Sequence, residues 1–179
     1  MSLAKNKLKE FLKERDPSLH ITFIDPQDLS FSDRVRLKCF YCPDYSKCLR
    51  CPGNLPDKLD LEKAILESDN GAFIWKEFEL NGEDTDKTLR ESNLEIHRTL
   101  LAAEQFLMSE NCPLAFSFNA GRCQLCDECP EDGPCRHPDR ARISLEATGC
   151  EAISSAADAG INISFSDPSR YKRVGLLCW

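Results

Sequence analysis

No stretch of the chain approaches the roughly 18 consecutive apolar residues that a membrane-spanning helix needs, so a helical span is excluded. The first residues, MSLAKNKLKEFLKERD, also lack the apolar run of a signal peptide and read as an amphipathic helix, which leads us to expect a cytoplasmic protein. Basic residues are in deficit, 23 Lys and Arg against 30 Asp and Glu, and the net charge of −7 argues against general nucleic-acid binding. There is no Ser-His-Asp arrangement, no Walker loop and no dinucleotide-binding glycine pattern. The radical-enzyme spacing Cys-x-x-x-Cys-x-x-Cys and the haem signature Cys-x-x-Cys-His are absent too. Disorder is excluded by 41% hydrophobic residues, and 179 residues suit a single domain over 1–179.

Against 2 methionines stand 11 cysteines. In a cytoplasmic protein, where disulfides are rare, clustered cysteines point to metal or redox chemistry. Eight fall into two tight groups: Cys39, Cys42, Cys48 and Cys51 in CFYCPDYSKCLRCP, and Cys123, Cys126, Cys129 and Cys135 in CQLCDECPEDGPC. The second group is the more diagnostic. A structural zinc ion takes two well-separated pairs, whereas three thiolates at successive two-residue gaps suit the corners of a cubane iron–sulfur cluster, as in bacterial ferredoxins. Five residues, stiffened by Pro130 and Pro134, separate Cys129 from Cys135, the candidate fourth ligand. In the first group two Cys-x-x-Cys pairs lie only five residues apart, shorter than the usual zinc-ribbon interval. Iron–sulfur, zinc and thiol redox chemistry all remain open there. Cys112, Cys150 and Cys178 stand apart and read as packing residues, since a free cysteine behaves as a small hydrophobe.

The apolar pattern predicts helices over 3–15, near 58–68 and over 84–110, the last with Leu89, Ile96, Leu100, Ala103 and Leu107 on one face and Asp84 or Thr85 as its cap. Short helices are expected at 144–148 and 150–159. Strands are expected at 20–25, 71–80 (ended by Asn81-Gly82), 114–119, 161–165 and 174–179. The order predicts an α+β fold, a compact α/β sandwich carrying two cysteine-rich metal-binding loops on strand ends, at about 36–56 and 121–140.

The segment from Gly121 to Ile161, with Cys123, Cys126, Cys129, Cys135, Pro138 and Arg142 in place, resembles the C-terminal core of a family labelled predicted metal-binding protein, found in anaerobic bacteria and archaea. Cys39, Cys42 with Pro43, Tyr45, and Cys51 with Pro52 resemble that family's first cysteine segment, and the likeness extends from about residue 35. The resemblance implies metal binding. Ser46 stands where its pattern has Gly, Gly53 where it has a second Pro, and Cys48 is an additional cysteine.

These residues lead to the expectation of two [4Fe–4S] clusters, one per cysteine group, in an electron-transfer protein or redox subunit docking on a redox partner protein. A zinc-stabilised interaction module and a metallocofactor-assembly protein or enzyme with an open cluster are the alternatives. Arg34, Arg36, Lys38, Lys47 and Arg50 flank the first group, and Asp127, Glu128, Glu131 and Asp132 crowd the second. If both hold clusters, this contrast would raise the first potential above the second. His137 is expected beside a metal site rather than on the metal.

Overall fold

The computed structural model describes residues 3–56, 58–80, 84–167 and 169–179. Its frame is a four-stranded antiparallel sheet in the order β1-β2-β4-β3, formed by His20–Ile24, Gly71–Glu79, Phe116–Phe118 and Arg170–Cys178 as β1 to β4. β2 and β4 pair along their whole length, from Gly71 opposite Cys178 to Glu79 opposite Arg170. Among the described residues five α-helices accompany it: α1 (Leu3–Arg15), α2 (Asp33–Phe40), α3 (Leu61–Leu66), α4 (Thr85–Ser109) and α5 (Ala152–Asp158). The α+β expectation holds.

Strand alternation divides the core between the two faces of the sheet. Ile74 and Leu177 point to one face, where Leu8 and Leu12 of α1 and Ile96, Leu100, Ala103 and Leu107 of α4 cover them. Phe73, Phe118 and Leu176 point to the other, against Ile65, Leu145, Cys150, Ala156 and Ile161. The helix α4 lies directly on β4: a Cβ placed on Gly175 would come within 2.6 Å of Leu100 Cδ1. Among the described residues no helix is long and apolar enough to cross a membrane.

The long helix begins where its sequence says, with the Asp84 side chain accepting from Lys87 N at 3.1 Å. Three expectations are corrected. Residues 161–165 form no strand, because Ile161 is drawn into the end of α5: Ile161 N donates to Ala156 O at 2.8 Å and Gly160 N to Ala157 O at 2.9 Å. That double closure buries Ile161 as the hydrophobic partner of a helix C-terminus. Residues 144–148 yield only a 3-10 turn, Glu146–Thr148. The first cysteine loop leaves no strand end; it leaves α2, a helix the sequence reading missed, capped by Ser32 accepting from Arg34 N at 3.1 Å. The Asn81-Gly82 break lies outside the described residues.

Replacing Leu100→Ala removes the side chain that joins α4 to the sheet. We expect a loss of about 3 kcal/mol, as for other large-to-small changes in a closed core. Urea unfolding should show a lower midpoint at unchanged slope; a shift worth less than about 1 kcal/mol would mean that this contact does not hold the helix in place.

Candidate metal centre

Each Cys-x-x-Cys pair of the first loop is closed by a backbone turn. Cys42 N donates to Cys39 O at 3.1 Å, and Cys51 N to Cys48 O at 2.9 Å. The Asn54 side chain pins the stretch between them, donating to Ser46 O at 2.6 Å and Cys48 O at 3.2 Å. Ser46 has φ 61 and Gly53 φ +94, both left-handed. The first angle is one that a glycine favours, and the second is one that proline cannot adopt. A Cβ on Gly53 would lie 2.4 Å from Ser46 Oγ. Residues 46 and 53 are therefore coupled: the Ser46 side chain fills space that the bare backbone of Gly53 leaves.

The second loop is held at both stems by α4. Asn93 Nδ2 donates to Ala120 O at 2.8 Å, and His97 Nε2 bonds Arg140 O at 2.8 Å. A carbonyl only accepts, so His97 carries its proton on Nε2. The neck is closed by Asn119 N to Ile143 O at 2.8 Å and Leu145 N to Asn119 O at 3.0 Å. Beyond it, Arg142 grips the buried Glu104 of α4 through two bonds, Nε to Oε1 at 2.8 Å and Nη2 to Oε2 at 2.5 Å, and Ser117 Oγ donates to the same carboxylate. Arg173 of β4 adds bonds to Ala120 O at 3.3 Å and Leu89 O at 2.7 Å.

The two loops dock on each other. Arg122 Nε meets Asp44 Oδ2 at 2.9 Å, and Cys48 Sγ lies 4.0 Å from Cys123 O. Behind them, Arg36 binds Asp33, Glu62 and Thr148 O, and its guanidinium covers Gly149 so closely that a Cβ there would sit 2.9 Å from Nε. Gly149 (φ +91) thus meets two demands that any side chain would violate.

This docking redistributes the cysteines. Cys39, Cys42, Cys51 and the buried Cys150 line one cavity of about 620 Å³, beside α2 and the start of α5. Cys48 instead lines a second cavity of about 660 Å³ together with Cys123, Cys126, Cys129 and Cys135. The eight candidate ligands, expected as four and four, divide three and five, and Cys150, read from the sequence as a packing residue, is the fourth cysteine of the first cavity. Cys48 is buried at 3% exposure, Cys42 is exposed, and the other six are half-buried. All eleven cysteines are free thiols. Among the described residues no three or more His, Cys, Asp or Glu side chains close on a point that would hold a metal ion.

The thiols differ in acidity. The Cys51 thiol beside it, ahead of the Arg50 N–H, lowers Cys48 to about 6, and the same contact with Cys48 pushes Cys51 up. Burial raises Cys39, Cys123 and Cys129. Burial also pushes Cys150 and Cys178 up to about 12, in keeping with a packing role, and Cys112 packs against the α1–α4 side of the core. As a donor set, eight soft sulfurs with no competing disulfide suit a thiophilic metal or cluster. His137 borders the five-thiol cavity, and its Nδ1 is engaged by Arg140 Nη2 at 2.9 Å.

The expected charge contrast is blunted. Arg36 is paired away from the thiols, Asp127 meets Arg90 at 2.5 Å, and Lys47 and Arg50 of the first loop lie among the thiols of the second. The residues that sequence reasoning missed are Asn93, Glu104 and Arg173, and the anchoring role of His97. Their signal was a polar row at positions 93, 97 and 104 on a helix face otherwise spent on the core.

Burial lowers the pKa of His97, which is fully buried and has no partner on Nδ1 among the described residues. The folded protein therefore holds it neutral, while the unfolded chain takes up a proton near pH 6.5. Below that pH the unfolded state binds more protons, so stability falls with falling pH. His97→Gln, which keeps a donor for Arg140 O, should flatten that part of the stability–pH curve measured by urea unfolding; an unchanged slope between about pH 5 and 7 would remove His97 as its source.

A family model described as predicted metal-binding protein (DUF2284) matches residues 22–178. No curated protein matches the chain, and no solved structure does.

Proposed function

The chain belongs to that family of predicted metal-binding proteins, and from this premise we propose that its cysteine loops hold two [4Fe–4S] clusters in a small electron-transfer protein or redox subunit. The observation that carries the reading is the distribution of the thiols. Eight free cysteines from two docked loops line two cavities, enough soft donors for two four-thiolate centres. A structural zinc ion takes two well-separated pairs of ligands. A cluster is a larger body whose thiolates stand apart at its corners, and the Cys-x-x-Cys-x-x-Cys run of the second loop supports that alternative.

On this reading Cys123, Cys126, Cys129 and Cys135 hold one cluster, with Cys48 at the same cavity, and Cys39, Cys42 and Cys51 hold the other. Bound there, each cluster supplies a one-electron couple. The chain's own share is to keep the thiols together and to shed their protons. Cys48 is already inclined to the thiolate, whereas the buried thiols give up their protons only to a cation. Half-burial limits water at the centres, and the net charge of −7 favours encounter with a partner of basic surface.

Protein purified without oxygen should be brown and carry iron and acid-labile sulfide in equal amounts. Zinc without sulfide would overturn the cluster reading in favour of a structural module. Cys126→Ser should remove about half of the iron, while Cys178→Ser, at a packing cysteine, should leave it unchanged.

A further inference from the structure

The first cavity, lined by Cys39, Cys42, Cys51 and Cys150, has more to it than sulfur. One wall is the face of α2 that carries Arg34, Val35 and Lys38, and the opposite wall is built by Ala152 and Ile153 at the start of α5. Its volume of about 620 Å³, which a cluster held by its thiols would share, is that of a small-molecule site, and much of its lining is carbon. Arg34 and Lys38 stand one helical turn apart, and neither makes an ion pair among the described residues. A third cation, Arg122, is spent on Asp44.

The cavity also contains two further carboxyl groups. Glu151 Oε2 accepts from Ser154 Oγ at 3.0 Å, and burial pushes the pKa of Glu146 up, toward its uncharged form. Two cations are thus uncommitted, while each of the three acids has a protein partner or is disfavoured as an anion.

We propose that this cavity binds a small organic anion with an apolar body, a carboxylate on an aryl or alkyl frame, with Arg34 and Lys38 holding its charge beside Cys39, Cys42 and Cys51. The apolar wall takes the body of the ligand, and the long stems of the two cations lie along it while their heads reach the carboxylate. Binding goes beyond the proposed function and does not depend on it; the position beside the three thiols is what would make such an anion a substrate if a cluster is held there.

Calorimetry on the protein as purified without oxygen, with benzoate against its neutral isostere benzamide, tests the site. Benzoate should bind and benzamide should bind at least about tenfold more weakly, the loss expected when charge-assisted bonds are removed. R34Q and K38Q should each weaken benzoate roughly fivefold, and K63Q, at a lysine paired with Glu67 on α3, should not. The proposal is overturned if benzoate gives no heat at millimolar concentration, if benzamide binds equally well, or if the double variant binds benzoate like the parent. Should that double variant fail to fold, the charge-keeping R34K and K38R against the single glutamine variants decide the same point. Iron and sulfide measured on the same samples separate the two readings. Benzoate binding by protein without iron or sulfide leaves this site standing and sinks the cluster reading, and a brown protein indifferent to benzoate does the reverse.

Discussion

The arrangement of the thiols depends on the grip of α4 on the neck of the second cysteine loop. A loop of some twenty residues, rich in Pro, Gly and charge, has little apolar surface of its own to bury. What fixes it is a row of polar side chains on a helix whose neighbouring positions are already committed to the core. Asn93 and His97 hold the two stem carbonyls, and Glu104 holds Arg142. Because these groups are buried, each bond left unmade would cost about 1–3 kcal/mol, more for the charged pair. The anchors are thus far stiffer than solvent-exposed contacts of the same geometry. The first loop inherits its position at one remove, through Arg122 to Asp44 and through α2 packed on the Glu146–Thr148 turn.

Much of the frame was legible in the sequence. The alternating GAFIWKEFEL, rich in aromatic and β-branched residues, read as a strand, and the apolar row of α4 with an Asp cap gave the helix almost to the residue. The failures have physical causes. In INISF, hydrophobic alternation was overridden by the helix stop ahead of it, which needed Ile161 as its apolar lid. The helix α2 was missed because Pro and Cys just downstream made the whole segment read as loop, while the capping Ser32-Asp33 went unused. Both errors arise where a local rule met a tertiary demand.

The site divides in the same way. Spacing singled out the eight cysteines as candidates, and in the first loop an i to i+3 turn, a property of four adjacent residues, closes each pair. Which thiols share a cavity is set by how two loops, some 75 residues apart in sequence, press together, and no spacing rule contains that information. So Cys48, placed with the first loop by sequence, is buried against Cys123 of the second. Charge was redistributed by the same docking, since Lys47 and Arg50 travel with Cys48 into the acidic side.

This crossing has a consequence for how the two centres act. Cys48 and Cys51 belong to one backbone turn, closed by a 2.9 Å bond, yet their thiols line different cavities. Two residues, Leu49 and Arg50, are all that separate them, and Asn54 clamps the turn from outside. A shift of the Cys48 side therefore reaches the Cys51 side through this turn, in addition to the Arg122–Asp44 pair that lines both cavities. The Cys48 thiol lies against both Cys51 and Cys129, so it touches a thiol of each cavity. A movement of Cys51 therefore changes what Cys48 packs against, and the two cavities share a wall at this turn.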